Sequence, residues 1–337
     1  MKFRFCMIGI ASVGTLLAQP KGGPKGFAQP GPPVEVTVKA IPGVVADGAK
    51  VTPVWQGEAT ADGMAATPDG GIMSAQEQTN RINKLDKNNK FSTLFDTPHG
   101  PGAIAVGPKN HILTVERTCT DPGGHLGVQP ADCKEATDVA ELTPTRKVLV
   151  DNVDGKGLGR VNDIIADKKG GAYFTSGSVF YMRPDHKVIT IGQNIRPNGI
   201  QLSRDEKTLY VTNGGTIVAL DIQPDGSTMN QRDFAKLEAG GAGDGMAIDS
   251  MGRLYVTSGP GVQIFDPQGK YLGVIPMPRN PITLTFSGKD KKTLYVGCMG
   301  MLTPEGKNFT TAPGVRNVAM TIYTVPMIAQ GFKGRAK

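Results

Sequence analysis

Long apolar stretches, cysteine pairs and histidine are all scarce in this chain of 337 residues. The apolar run over residues 5–17 is too short to span a bilayer comfortably, and no coiled-coil or long amphipathic helical pattern is present. The four cysteines include no Cys-x-x-Cys pair, which disfavours a thiolate metal site. No Gly-x-Ser-x-Gly elbow followed by a helix occurs, so a serine hydrolase of that type is not expected.

The first 45 residues differ in composition from the rest of the chain. Lys2 and Arg4 precede the apolar run, which predicts a signal peptide over residues 1–18 and export to the periplasm or the medium. Residues 19–45 are rich in proline and glycine and are predicted to form a flexible tether. No stable membrane insertion is expected after the signal is cleaved.

The roles of Cys119, Cys133 and Cys298 are predicted from the sequence around each of them. Cys119 and Cys133 lie in a polar insert rich in glycine and proline, and in an oxidising compartment a disulfide between them is expected. Cys298 follows a strand pattern and is predicted to be a buried small hydrophobe.

The net charge of +7 is spread over turns rather than concentrated on one element. A nucleic-acid partner is therefore not expected. The last residues, 331–337, are predicted to form a basic, frayed tail. No pattern in the sequence defines the oligomeric state.

The chain is rich in glycine, with 45 residues, and a sequence pattern typical of a β-hairpin occurs six times. Each unit ends in a β-branched or aromatic run that follows a turn, as in Leu209-Tyr-Val-Thr and Leu254-Tyr-Val-Thr. The units recur about every 40 residues, which is the period of a propeller blade. The sequence therefore predicts an all-β fold, a six-bladed β-propeller with four-stranded blades over residues 46–330. An open β-sandwich is the alternative, but it would not explain the regular phrase.

The residue just before each innermost strand is the one that indicates a metal site. In a propeller these positions gather at one mouth of the central channel, and four of the six bear a short oxygen-containing side chain. Such oxygens are the ligands that Ca²⁺ prefers, whereas Zn²⁺ prefers His or Cys, and none of the four histidines shares this position. The sequence predicts one divalent metal ion, with Ca²⁺ expected first and Zn²⁺, Mn²⁺ or Mg²⁺ as alternatives. In chain order the six positions are Asp62, Gly102, Asn162, Asn198, Asp244 and Ile282.

The chain resembles the family of senescence marker protein-30, gluconolactonase, related lactonases and diisopropylfluorophosphatase. The resemblance is carried by the phrases that begin at Arg196, Gly159 and Asp244. It implies metal ligands at Asn198 and Asp244, with Asn162 direct or through water. Two departures are that Asp62 stands where the family has Glu, and that Gly102 stands where it has Asn.

The resemblance implies metal-dependent hydrolysis of a small-molecule lactone or ester. Asp244 is then the candidate general base, and Arg160 matches a substrate-contacting arginine of the family, with Asn162 beside it. From their positions near the mouth, Glu116 and His99 are further candidates for substrate contact, and Arg117 accompanies Glu116. A non-catalytic propeller that binds a ligand or partner, and a phosphotriesterase-like hydrolase, remain open as alternatives.

Overall fold

Six antiparallel sheets of four strands form the regular structure of residues 29–118, 135–313 and 315–337, which are the residues that this computed structural model describes. The sheets follow one another along the chain, and each runs outward from an innermost strand. The strands of the first three blades are β2 (Asp62–Ala66), β3 (Ile72–Gln76), β4 (Arg81–Leu85) and β5 (Phe91–Phe95); β6 (Pro101–Val106), β7 (Ile112–Glu116), β8 (Asp138–Glu141) and β9 (Lys147–Val150); and β12 (Ile164–Ala166), β13 (Ala172–Thr175), β14 (Val179–Met182) and β15 (Val188–Ile191).

The other three blades complete the circle. Their strands are β16 (Pro197–Leu202), β17 (Thr208–Asn213), β18 (Thr216–Ile222) and β19 (Thr228–Lys236); β20 (Met246–Ile248), β21 (Leu254–Ser258), β22 (Gly261–Phe265) and β23 (Tyr271–Pro276); and β24 (Pro281–Ser287), β25 (Thr293–Met299), β26 (Met320–Pro326) and β1 (Thr52–Gly57). A short hairpin, β10 (Asn152–Val153) with β11 (Lys156–Gly157), and three 3₁₀ turns, Glu77–Thr79, Pro108–Asn110 and Lys289–Lys291, connect them.

The ring closes by pairing the two ends of the propeller. Strand β1 is the outermost strand of blade six and pairs antiparallel with β26, with Thr52 opposite Thr324 and Gly57 opposite Met320. The innermost strands contact their neighbours all the way round, from β2 through β24 and back to β2. The predicted six-bladed, four-stranded propeller is therefore confirmed.

Apolar side chains fill the spaces between the blades. Each of the six interfaces between neighbouring blades has its own cluster of buried residues. This follows from the alternation of side chains along a strand, because both faces of a blade are covered by its neighbours and both must be apolar. The fully buried Cys298, predicted to be a small hydrophobe, belongs to the cluster between blades five and six.

Both ends of the described chain are more ordered than the sequence indicates. Val38, Ile41 and Val44, inside the segment read as a flexible tether, are buried in the cluster between blades five and six. Residues 331–337, read as a frayed tail, lie against the innermost strands instead, where the Ala336 carbonyl accepts a hydrogen bond from the Ala66 amide at 2.8 Å. Backbone groups of the innermost strands that are not paired within their own sheets form hydrogen bonds with residues 331–337.

Two predictions fall outside the described residues: the signal peptide over residues 1–18 and the disulfide between Cys119 and Cys133. The described residues include no helix with the length and hydrophobicity of a membrane-spanning segment.

Candidate active site at the channel mouth

An irregularity in strand pairing recurs where the innermost strands begin. The register shifts between Asp62 and Ala65 in β2, between Pro101 and Ala103 in β6, and between Pro197 and Ile200 in β16. A bulge of this kind bends the strand and redirects one side chain. Two of these bulges lie at Asp62 and Asn198 and so help to direct those two side chains to the mouth, while the third lies at Gly102, which has no side chain.

Glycines directly after Asp62, Asn198 and Asp244 allow adjacent innermost strands to approach closely. A Cβ on Gly63 would lie 2.1 Å from Ala103 Cα, one on Gly199 would lie 2.0 Å from the Asp244 carbonyl oxygen, and one on Gly245 would lie 2.8 Å from the Ile282 carbonyl oxygen. The repeated Asp-Gly and Asn-Gly pairs are thus needed for packing around the channel, in addition to their ordinary preference for turns.

Hydrogen bonds and one ion pair join the predicted ligands into one network. Arg117 Nη2 donates to Asn162 Oδ1 at 2.6 Å, and Asn162 Nδ2 donates to Asn198 Oδ1. The Asn198 side chain in turn hydrogen-bonds to Asp244, and Arg117 Nη2 lies 3.6 Å from Asp62 Oδ2. The structure therefore brings together all four residues that share the repeat position.

The surroundings of Asp62 and Asp244 disfavour the charged form of each carboxylate. Burial raises the pKa of Asp244 well above its usual value of 3.8, and the negative charge of Asp62 raises it further. Burial likewise raises the pKa of Asp62, while the guanidinium of Arg117 acts in the opposite direction. Burial and neighbouring negative charges thus disfavour the ionised forms of both carboxylates, and a cation between them would offset this effect.

Glu77 and Arg117 form the centre of a second group at the same mouth. They occupy equivalent places in blades one and two, each directly after the second strand of its hairpin. Glu77 Oε2 accepts from Arg117 Nη1 and from Arg160 Nη2, both at 2.9 Å. Glu77 is only 4% exposed, whereas the Arg160 side chain is 31% exposed and so reaches the solvent side of the group.

Of the other predicted substrate contacts, Arg160 and His99 lie at this end of the molecule, and Glu116 faces elsewhere. His99 Nδ1 is 2.9 Å from Glu135 Oε2 and its ring is partly exposed. The buried Glu116 carboxylate is bound by Arg146. Successive side chains of a strand point to opposite faces, so the residue that reaches the mouth from the end of β7 is Arg117.

The donor set fits a hard divalent cation. Asp62 and Asp244 supply carboxylate oxygens and Asn162 and Asn198 supply amide oxygens, the ligand types that Ca²⁺ takes. In the described parts of the chain, no three His, Cys, Asp or Glu side chains come close enough to hold a metal by themselves. A cation at the mouth would therefore need an amide oxygen in addition to the two carboxylates.

The fold and this mouth define a six-bladed propeller with an oxygen-rich channel opening. Comparison with known families matches residues 133–299 to the SMP-30/gluconolactonase/LRE-like region. The lactonase drp35 of Staphylococcus haemolyticus is 37% identical over 237 residues, which cover 64% of this chain and 69% of the relative. The chain belongs to the SMP-30/gluconolactonase/LRE-like family.

Other relatives agree over shorter stretches or in fold alone. The gluconolactonase of Zymomonas mobilis is 32% identical over 207 residues, which cover 52% of this chain and 58% of that protein, so less than two thirds of its length is matched. A gluconolactonase structure from Xanthomonas campestris superimposes with a TM-score of 0.67 at 20% identity, covering 92% of this chain and all of the other. At that identity the likeness shows the shared fold.

Proposed function

We propose that the protein is a divalent-cation-dependent hydrolase of a small lactone or ester, with Ca²⁺ as the expected ion. The observation that carries the proposal is the convergence of Asp62, Asn162, Asn198 and Asp244 at one mouth, where hydrogen bonds link the last three and Arg117 forms an ion pair with Asp62. Relatives named gluconolactonase and lactonase support this reaction class. A solved propeller described as a calcium-binding regucalcin, with a TM-score of 0.63 at 15% identity, shares the fold over 84% of this chain and 95% of its own.

In this proposal Asp62, Asn198 and Asp244 hold the cation, with Asn162 beside them. When bound, the cation acts as a Lewis acid that favours negative charge on the lactone carbonyl oxygen. The remaining contributions come from side chains of the protein.

Asp244 is the proposed general base. Its carboxylate accepts a proton from water, the water oxygen adds to the lactone carbonyl carbon, and the ring C–O bond then breaks. The proton returns from Asp244 to the departing ring oxygen, so a hydroxy acid is released and the carboxylate is restored. The hydrogen bond from Asn198 holds the Asp244 side chain in place for both transfers.

Arg160 is the proposed substrate-positioning group. Its guanidinium is fixed by Glu77 yet keeps 31% of its side chain exposed at the mouth. A planar guanidinium suits the hydroxyl and carbonyl oxygens of a sugar-derived lactone or the carboxylate of the product. His99 is proposed to line the outer rim, and Glu116 is not included because its carboxylate is bound by Arg146.

The test is a lactone screen with a pH indicator, run on chelator-treated protein and on the same protein reloaded with Ca²⁺, Mn²⁺, Mg²⁺ or Zn²⁺. The proposal predicts hydrolysis that is lost on chelation, restored by at least one ion and abolished in Asp244→Ala. Asp185→Ala, at an exposed turn, is the matched control and should hydrolyse normally. Folded, ion-loaded protein that cleaves no lactone or ester above background would overturn the proposal, and cleavage of phosphotriesters alone would replace the substrate class.

We also propose that the chain is exported, from the predicted signal peptide over residues 1–18. N-terminal sequencing of protein recovered from a bacterial periplasm should begin after residue 18, and retention of Met1 on cytoplasmic protein would refute this.

A further inference from the structure

Arg117 fills the space that Gly102 leaves by having no side chain. A Cβ on Gly102 would lie 2.3 Å from Arg117 Nε and 2.6 Å from Arg117 Cζ, far inside contact distance. Gly102 does not adopt the left-handed backbone region that favours glycine. The missing side chain is therefore explained by the guanidinium rather than by the backbone.

Gly102 also occupies the blade-two place in the repeat that elsewhere bears Asp62, Asn162, Asn198 and Asp244. The place where blade two would contribute an oxygen to the mouth thus holds a permanent positive charge. That charge lies 3.6 Å from Asp62 Oδ2.

Several acceptors fix the guanidinium in this place. Nε donates to the Val161 carbonyl at 3.0 Å, Nη1 donates to Glu77 at 2.9 Å, and Nη2 donates to the Asn162 carbonyl at 3.1 Å and to its Oδ1 at 2.6 Å. Because Asn162 Oδ1 faces Arg117, its Nδ2 is turned toward Asn198 Oδ1. The orientation of both amide groups thus depends on the arginine.

We infer that Arg117 is a positioning residue that acts as a resident cation: it turns the Asn162 oxygen toward itself and weakens the binding of a divalent cation at the mouth. The inference rests on the proposed function, because it concerns the same oxygen-bearing residues. A fixed charge of +1 repels a divalent ion and competes with it for Asp62. An ion held in this way exchanges more readily than one held by four free oxygens.

The first test compares Ca²⁺ affinity by isothermal titration of chelator-stripped wild type, Arg117→Met and Arg117→Lys. Removing the charge should tighten Ca²⁺ binding by about tenfold or more in Arg117→Met, from the repulsion between a divalent ion and a unit charge several ångströms away. Arg117→Lys keeps the unit charge and should stay within about threefold of wild type, whereas a role of the guanidinium in packing alone would affect both variants alike. Glu77 keeps Arg160 as a partner at 2.9 Å in both variants, which favours folding.

The second test needs no ion. Gly102→Ala, Arg117→Met and the double variant are compared by urea denaturation, as a double-mutant cycle. Gly102→Ala should lower the unfolding midpoint in the wild-type background and have little effect once Arg117 is Met. Equal losses in both backgrounds would show that the space is not reserved for Arg117 and would overturn the inference.

The two proposals fail in distinguishable ways. If wild type binds Ca²⁺ and cleaves a lactone but Arg117→Met binds no more tightly, only the inference about Arg117 is wrong. If wild type binds no divalent ion and Arg117→Met does, the inference is supported. If neither binds one, both proposals fall.

Discussion

The ammonium group of Lys337 binds the carboxylate of Asp163, the residue next to Asn162 at the channel mouth. Asp163 also accepts hydrogen bonds from the Ile164 amide at 2.9 Å and the Ile200 amide at 3.0 Å. Its negative charge acts on both Asp62 and Asp244. The end of the described chain therefore contributes to the electrostatics beneath the candidate site.

Lys337→Met should destabilise the protein because it leaves Asp163 buried without its cationic partner. Removing one member of a buried ion pair costs about 3 kcal/mol, measured here as the free energy of unfolding in urea. Lys333→Met is the matched control, since the Lys333 side chain is 62% exposed and 3.7 Å from Asp290, and it should cost less than about 0.5 kcal/mol. Equal effects of the two substitutions would show that the channel contact of Lys337 does not stabilise the fold.

Asp138 should make stability depend on pH. Burial and the neighbouring Glu116 carboxylate raise its pKa from 3.8 to about 8. The folded protein then binds more protons than the unfolded chain between about pH 4 and pH 8, so the free energy of unfolding falls as the pH rises through that window.

Asp138→Asn removes this titration. Urea denaturation at intervals from pH 4 to pH 8 should show a smaller decline for the variant than for wild type. Parallel curves for the two proteins would mean that Asp138 titrates normally in the folded state.

Gly199→Ala should disrupt the contact between the innermost strands of blades four and five. The added Cβ would lie 2.0 Å from the Asp244 carbonyl oxygen, which forces the strands apart and displaces Asp244. Such overpacking costs roughly 1–3 kcal/mol, seen as a lower unfolding midpoint. Gly157→Ala, where a Cβ would meet no atom within 4 Å, is the control and should change the midpoint little. A tolerated Gly199→Ala would contradict the packing role given to these glycines.

The repeat made the propeller and the convergence of Asp62, Asn162, Asn198 and Asp244 predictable. Radial symmetry turns equal positions in separate repeats into one place in space, so the sequence alone carries that information.

Other features depend on geometry that a linear pattern does not contain. Arg117, rather than Glu116, reaches the mouth because of the side-chain alternation at the end of β7, and that depends on where the strand stops. Glu77 lies in a 3₁₀ turn with no periodic signal, although its equivalence to Arg117 in the repeat is a clue that sequence comparison of the blades offers. The position of residues 331–337 depends on partners in five different blades, which only the closed ring brings together.

Asp244 and its neighbours are proposed to hold one divalent cation at the channel mouth. Isothermal titration of chelator-stripped protein with Ca²⁺ measures this binding, with circular dichroism to verify the fold of each variant. One ion should bind per wild-type chain and none detectably to Asp244→Ala, while Asp185→Ala should bind as wild type does. Folded wild type that binds no divalent cation, or an Asp244→Ala variant that binds it equally well, would show that no such site exists at Asp244.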